Sequence, residues 1–103
     1  MMENLFADLP VLATGEAFDE LMRCRNVRIE RIASSPVPGS VWYDQPHDEW
    51  VVLLTGQARL EMAGEVLEMG PGDHLFIPAR TWHRVLATSD EPRCLWLAVH
   101  IDP

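Results

Sequence analysis

Hydrophobic and polar residues alternate over most of the chain. Across residues 26–33, the odd-numbered positions from Val27 to Arg31 point to one side of an extended chain, and the even-numbered positions from Arg28 to Ile32 point to the other. Similar short runs, separated by turn residues, predict strands at residues 41–43, 49–54, 57–62, 65–68, 74–77, 83–87 and 93–101. Short strands at this spacing, without interleaved helices, predict an all-β sandwich or small barrel.

Two turns in this region have specific signatures. Ala63 and Gly64 form a two-residue hairpin signal between two of the predicted strands. The sequence GPGD at residues 70–73 predicts a tight reversal, because glycine adopts backbone angles that other residues avoid. Pro78 then ends one strand, and His83 opens the next.

The first 25 residues follow a different pattern. Phe18, Leu21 and Met22 are spaced i, i+3, i+4, which is typical of one face of a helix. We therefore predict an N-terminal arm over residues 1–25 that contains one short helix. With 103 residues in total, the remaining residues 26–103 predict a single β-barrel domain with one core.

Charge excludes some partners. The formal net charge is -8, and the eight basic residues are all arginine. Binding to nucleic acid or to an anionic membrane is disfavoured, because both need a basic surface. No apolar run approaches the roughly 20 residues of a membrane span, and the N-terminal residues lack the basic start of a secretory signal. We expect a cytoplasmic protein, with both cysteines reduced.

The predicted strand at residues 49–54 is apolar on both faces beyond Glu49. One face carries Val51 and Leu53, and the other begins with Trp50. A strand buried on both sides needs cover outside the barrel as well as inside it. The N-terminal arm or a second copy of the chain would supply that cover, and we predict a homodimer.

Two spacings carry a family resemblance. Residues 72–83 read GDHLFIPARTWH, with Gly72, Pro78 and His83 in the pattern G-x5-P-x4-H. Upstream, Glu49 and Gly56 fit the pattern E-x6-G. These patterns resemble the two motifs of the cupin superfamily, in particular small single-domain proteins of the cupin_2 and RmlC-like type. The resemblance implies a double-stranded β-helix, or jelly-roll barrel, with a polar pocket that binds metal.

The chain departs from both cupin motifs. Arg80 and Ala87 stand where the second motif has glycine and asparagine. Tyr43 and Gln45 stand where the first motif has two histidines. The departures weaken the implied metal site more than the implied fold, because each lost imidazole removes a fixed ligand.

The remaining polar residues give a candidate metal set. We predict that His47, Glu49, His83 and Gln45 hold a divalent metal ion (Fe, Mn, Ni or Zn), since nitrogen and oxygen ligands that leave open positions suit these ions. The alternatives are a structural role for His83, a solvated turn position for His47, an exposed strand end for Glu49 and simple pocket polarity for Gln45.

Four further residues are predicted to line the pocket: Tyr43, Trp82, His100 and Arg80. Tyr43 could pack instead, and Trp82 could belong to the core or an interface. His100 could lie on the outer face, and Arg80 could be an ordinary surface arginine.

Two functions stay open on this basis. One is a metal-binding cupin that binds a small molecule, with or without catalysis. The other is a metal-free cupin that binds a small ligand or serves as a sensor or accessory module. A fold of this kind hosts many activities, so the resemblance alone names neither a substrate nor a reaction.

Overall fold

The computed structural model describes residues 2–103, and every regular element in that range is a β-strand. The strands are β1 (Glu16–Cys24), β2 (Val27–Ser34), β3 (Asp48–Thr55), β4 (Ala58–Met62), β5 (Glu65–Met69), β6 (His74–Ile77), β7 (His83–Thr88) and β8 (Cys94–Ile101). They form a five-stranded antiparallel sheet in the order β1-β2-β8-β3-β6 and a three-stranded sheet in the order β5-β4-β7. The predicted all-β jelly-roll fold is confirmed. Residues 2–103 include no helix of the length and hydrophobicity that a membrane span requires.

The predicted N-terminal helix is wrong. Its residues form β1, which pairs with β2 in antiparallel register. A bulge interrupts the pairing between Glu20 and Met22, so Phe18 lies opposite Ile32 whereas Met22 lies opposite Ile29. Phe18 and Met22, two of the three residues of the predicted helical face, therefore lie on opposite faces of the sheet. A short isolated helix is marginal in water, and pairing with β2 supplies the same backbone hydrogen bonds.

The residues before β1 cover part of the outer sheet surface. Arg31, on the outer face of β2, donates hydrogen bonds to the carbonyls of Leu5 (2.9 Å) and Ala7 (2.7 Å). It also pairs with the Asp19 carboxylate at 3.1 Å. On the outer face of β6, Phe76 remains 50% exposed. The homodimer stays a prediction.

The core lies between the two sheets and follows the alternation of the strands. Leu53 on β3 and Ile77 on β6 are almost fully buried, as are Trp96 and Ala98 on β8. The same alternation continues along β3 to Glu49 and along β8 to His100, since side chains two residues apart share a face. One end of the interior is therefore polar while the remainder is apolar.

The predicted hairpin at Ala63–Gly64 is confirmed. It joins β4 to β5, and its two residues have φ angles of 51° and 80°. Positive φ at both central positions is what a tight two-residue hairpin with the native strand twist requires.

Candidate functional site

A cavity of about 220 Å³ occupies the polar end of the interior. Its polar wall comes from both sheets and from the segment before β3, and it comprises Glu16, Arg28, Glu30, Tyr43, Gln45, Glu49, His83 and His100. Its apolar wall includes Phe18, Val51, Leu60 and Trp96. A concave apolar pocket with a few converging polar groups is the usual form of a small-molecule site.

Glu49 and His83 form a deeply buried polar pair in the cavity. They are 7% and 6% exposed, and 4.0 Å separates His83 Nε2 from Glu49 Oε1. His83 Nδ1 lies 2.8 Å from the Thr81 carbonyl oxygen. A carbonyl can only accept a hydrogen bond, so Nδ1 carries the proton. When the ring is neutral, Nε2 therefore presents a lone pair toward Glu49 and the cavity.

The segment before β3 is attached to β7 by a short bridge. The backbone amide of Tyr43 donates to the His83 carbonyl (2.8 Å), and the amide of His83 donates to the Tyr43 carbonyl (3.1 Å). The two rings stack, with centroids 5.6 Å apart. This attachment places Gln45 beside β3, where its side-chain amide donates to Glu49 Oε1 at 2.8 Å. Burial raises the pKa of Tyr43, and nearby carboxylates, Glu16 foremost, raise it further.

A second network lies behind the cavity wall. His47 Nε2 and His100 Nδ1 are 2.8 Å apart, and His100 Nε2 is 2.9 Å from Glu30 Oε1. The Glu30 carboxylate can only accept, so His100 Nε2 carries a proton, whereas the donor between His47 Nε2 and His100 Nδ1 depends on the tautomers of the two rings. Burial lowers the pKa of His47, and the neighbouring His100 and Arg28 lower it further. On the far side, His47 Nδ1 is 3.7 Å from the Asp102 carboxylate.

The predicted site residues separate into two groups. Glu49, His83 and Gln45 line one cavity together with Tyr43 and His100. His47 is not part of that lining, and it contacts the cavity residue His100 instead.

Two predicted pocket residues are placed elsewhere. Trp82 is 58% exposed and packs edge-to-face against Trp42, with ring centroids 6.2 Å apart. Arg80 contributes its backbone amide, which donates to the Gln45 carbonyl at 2.8 Å, and its φ of 59° lies in the left-handed region. That backbone angle explains why a glycine suits this motif position. Neither side chain lines the cavity.

Two carboxylates of the cavity were not found from the sequence. Glu30 lies on the same face of β2 as Ile32, so the alternation of residues 26–33 contained a usable signal. Glu16 lies on β1 and accepts a hydrogen bond from Ser34 Oγ at 2.5 Å. Burial raises the pKa of Glu16; the Ser34 hydrogen bond opposes that shift, and Glu49 and Glu30 add to it. The sequence did not indicate Glu16 as a cavity residue, because the pattern of its segment predicts a helix.

The donor groups do not assemble a preformed metal site. Among residues 2–103, no group of three or more His, Cys, Asp or Glu side chains is arranged to hold a metal ion. Gln45 directs its N–H at Glu49 Oε1 and so presents a donor there, whereas a metal ligand must present a lone pair. His100 Nδ1, 3.9 Å from Glu49 Oε1, is already hydrogen-bonded to His47 Nε2 at 2.8 Å. Glu49 and His83 are the two groups left free to coordinate.

Comparisons with known proteins agree with this architecture. A crystal structure from Ralstonia eutropha, named a "putative mannose-6-phosphate isomerase", is 45% identical in sequence, with a TM-score of 0.84 over 100% of this chain and 99% of the other. A cupin superfamily protein from Desulfitobacterium hafniense is 19% identical, with a TM-score of 0.78 over 92% and 84%. KdgF from Halomonas sp. is 18% identical, with a TM-score of 0.76 over 86% and 80%.

Curated proteins gave no sequence match. The cupin domain family matches residues 35–100, a range that runs from the end of β2 almost to the end of β8. This range contains both motif patterns together with Glu49 and His83. The match covers more than half of the chain and includes strands β3 to β7 and nearly all of β8. The chain therefore belongs to the cupin family.

Proposed function

We propose that this protein binds a small polar molecule in the cavity and that Glu49 and His83 contact it directly. The main support for this proposal is that Glu49 and His83 are both more than 90% buried. Even so, Glu49 Oε2 and His83 Nε2 take part in no hydrogen bond with residues 2–103. In the same part of the chain, no inaccessible side-chain nitrogen or oxygen lacks a partner. These two atoms are therefore reached from the cavity, where a ligand would satisfy them.

The cavity wall provides complementary contacts. The Glu49 carboxylate and the His83 lone pair accept hydrogen bonds, and the Tyr43 hydroxyl can donate one. Val51 and Trp96 on the apolar wall would pack against the carbon frame of the ligand. A buried carboxylate next to an imidazole can also take a proton from one carbon of a bound molecule and return it to a neighbouring carbon, which is how proton transfer isomerises a sugar.

The substrate named for the Ralstonia protein is not matched by this cavity. A phosphate group requires a free cation or a cluster of backbone amides. Arg28 is the arginine of the cavity lining, and its guanidinium is paired with the Asp102 carboxylate at 3.1 Å. The carboxylates of the cavity would also repel a phosphate. A sugar without the phosphate is the better hexose ligand.

A divalent metal (Fe, Mn, Ni or Zn) is the second candidate ligand. It is favoured by the contact between His83 Nδ1 and the Thr81 carbonyl, because metal-bound imidazoles usually donate their other N–H to such a group. Glu49 and His83 would hold the ion, and it would supply Lewis-acid polarisation of a bound substrate. A third protein ligand requires His100 to release His47, so we rank this candidate second.

The experiment is a binding assay with matched variants. Saturation-transfer NMR with D-mannose, D-mannosamine and mannose 6-phosphate is recorded on the native protein, on His83→Ala and on Glu49→Gln. His74→Ala is the control, because His74 is an exposed histidine at the start of β6. We expect at least one sugar to bind and to be lost in the first two variants only. Sugar binding that survives both substitutions would contradict the proposal.

Metal content is measured on the same proteins. Each is incubated with Fe(II), Mn(II), Ni(II) and Zn(II), desalted and analysed by mass spectrometry for bound metal. One equivalent that is lost in His83→Ala and retained in His74→Ala would establish the second candidate. Sub-stoichiometric metal in the native protein would dismiss it.

A further inference from the structure

The cavity is lined by more carboxylates than arginines. Three carboxylates line it: Glu16 from β1, Glu30 from β2 and Glu49 from β3. Glu16 is hydrogen-bonded to the Ser34 hydroxyl, and Glu49 is hydrogen-bonded to the Gln45 amide, and both of these partners are neutral. Burying carboxylates without a compensating cation is unfavourable, so a cation in the cavity would be strongly held.

The cation already present in the wall is directed away from these carboxylates. Arg28 makes two contacts with the Asp102 carboxylate, at 3.1 and 3.3 Å, and one longer contact of 3.4 Å with His47. Glu30 interacts with His100, whose other nitrogen is hydrogen-bonded to His47. His83 Nε2 and His100 Nδ1 lie 4.0 and 3.9 Å from Glu49 Oε1, but an imidazole is not a fixed positive charge, and Glu16 forms no ion pair with residues 2–103.

The three carboxylates line the same cavity. Burial raises the pKa of Glu16, and Glu49 and Glu30 raise it further, as expected for like charges near one another. The remaining wall is suited to an organic cation, because Phe18 and Trp96 present aromatic rings to the same volume. Aromatic faces attract ammonium groups through the ring quadrupole.

We propose that the ligand of this cavity carries a positively charged ammonium group, which sits among Glu16, Glu30 and Glu49. The inference rests on the proposed small-molecule function and names the chemical class of the ligand. It does not depend on the acidic residues alone: the concave cavity and the His83 Nε2 atom, which makes no hydrogen bond with residues 2–103 on a residue 6% exposed, independently indicate a ligand. The overall charge of -8 would also draw cations toward the protein.

The test uses three probes of the same shape and different charge: benzylamine, benzyl alcohol and benzoate. Affinities are measured by isothermal titration with EDTA present, so that metal ions do not contribute. We expect benzylamine to bind at least about tenfold more tightly than benzyl alcohol, and benzoate not to bind. Raising the salt concentration should weaken the binding of benzylamine and leave the affinity for benzyl alcohol unchanged. Among the sugars, D-mannosamine should bind more tightly than D-mannose.

A matched pair of variants assigns the effect to the cavity. Glu16→Gln removes one cavity charge and keeps an oxygen for Ser34, and we expect it to reduce benzylamine affinity about threefold or more. Glu68→Gln makes the same charge change on the exposed face of β5 and should have no effect.

The outcomes separate the two proposals. Equal affinity for the amine and the alcohol, tighter binding of benzoate, or an unchanged affinity in Glu16→Gln would overturn the ammonium inference while leaving small-molecule binding in place. Failure of all the benzyl and sugar probes to bind would overturn both.

Discussion

Replacing Gly56 by alanine perturbs the junction between the sheets at the end of β3. Gly56 has a φ of +90°, and a Cβ atom built there would lie 2.7 Å from Cys94 Sγ and 2.9 Å from Cys94 Cα. Cys94 is 1% exposed at the start of β8, so its backbone has no room to yield. The left-handed backbone costs an alanine about 1–2 kcal/mol, and overpacking adds about 1–3 kcal/mol.

Gly72 supplies the matched comparison. It has the same φ of +90°, but a Cβ atom there would meet nothing within 4 Å. Gly72→Ala should therefore show the backbone cost alone. Thermal unfolding of both variants by circular dichroism should place the midpoint of Gly56→Ala at least about 4 °C below that of Gly72→Ala. Equal midpoints would refute the steric argument. They would also suggest that the glycine of this motif serves the backbone angle and not the close approach of β8.

Three other predictions address the edge strand, the arm and the core. Burial raises the pKa of Glu16, so the folded state favours its protonated form, and its contribution to stability falls as pH rises above about 4.5. In urea titrations, Glu16→Gln should therefore be more stable than the native protein at pH 7 but not at pH 4. A Glu16→Gln variant that is less stable than the native protein at pH 7 would contradict this. Arg31→Met removes the hydrogen bonds to Leu5 and Ala7 and should speed hydrogen exchange before β1 while leaving β8 protected. Leu53→Ala should lower the free energy of unfolding by about 2–5 kcal/mol, since Leu53 is fully buried; a loss below about 1 kcal/mol would argue against its core position.

Local alternation predicted much of the fold. The two faces of β2 are as expected, with Arg28 and Glu30 toward the cavity and Arg31 toward the arm. The hairpin at Ala63–Gly64 also follows from the sequence, because its geometry depends on two adjacent residues. Such features are set within a few residues of one another and need no knowledge of distant strands.

The features that the sequence did not predict depend on contacts between residues that are far apart in the chain. β1 forms through its pairing with β2, and the bulge after Glu20 makes its sequence look helical. For this reason Glu16 was absent from the predicted site. Pro46 precedes His47, and the direction of the chain there depends on contacts with His100 and Asp102 at the far end of the sequence. No local pattern encodes these distances.

Nitrogen-15 NMR of the His83 ring tests the central claim most directly. When the ring is neutral, we expect its proton on Nδ1, held by the Thr81 carbonyl, and an unprotonated Nε2 facing Glu49. Addition of benzylamine or D-mannosamine should shift the Nε2 resonance and leave that of Nδ1 nearly constant. A neutral ring with its proton on Nε2, or an Nε2 resonance unmoved by a ligand that binds, would contradict the claim that His83 and Glu49 contact the ligand in this cavity.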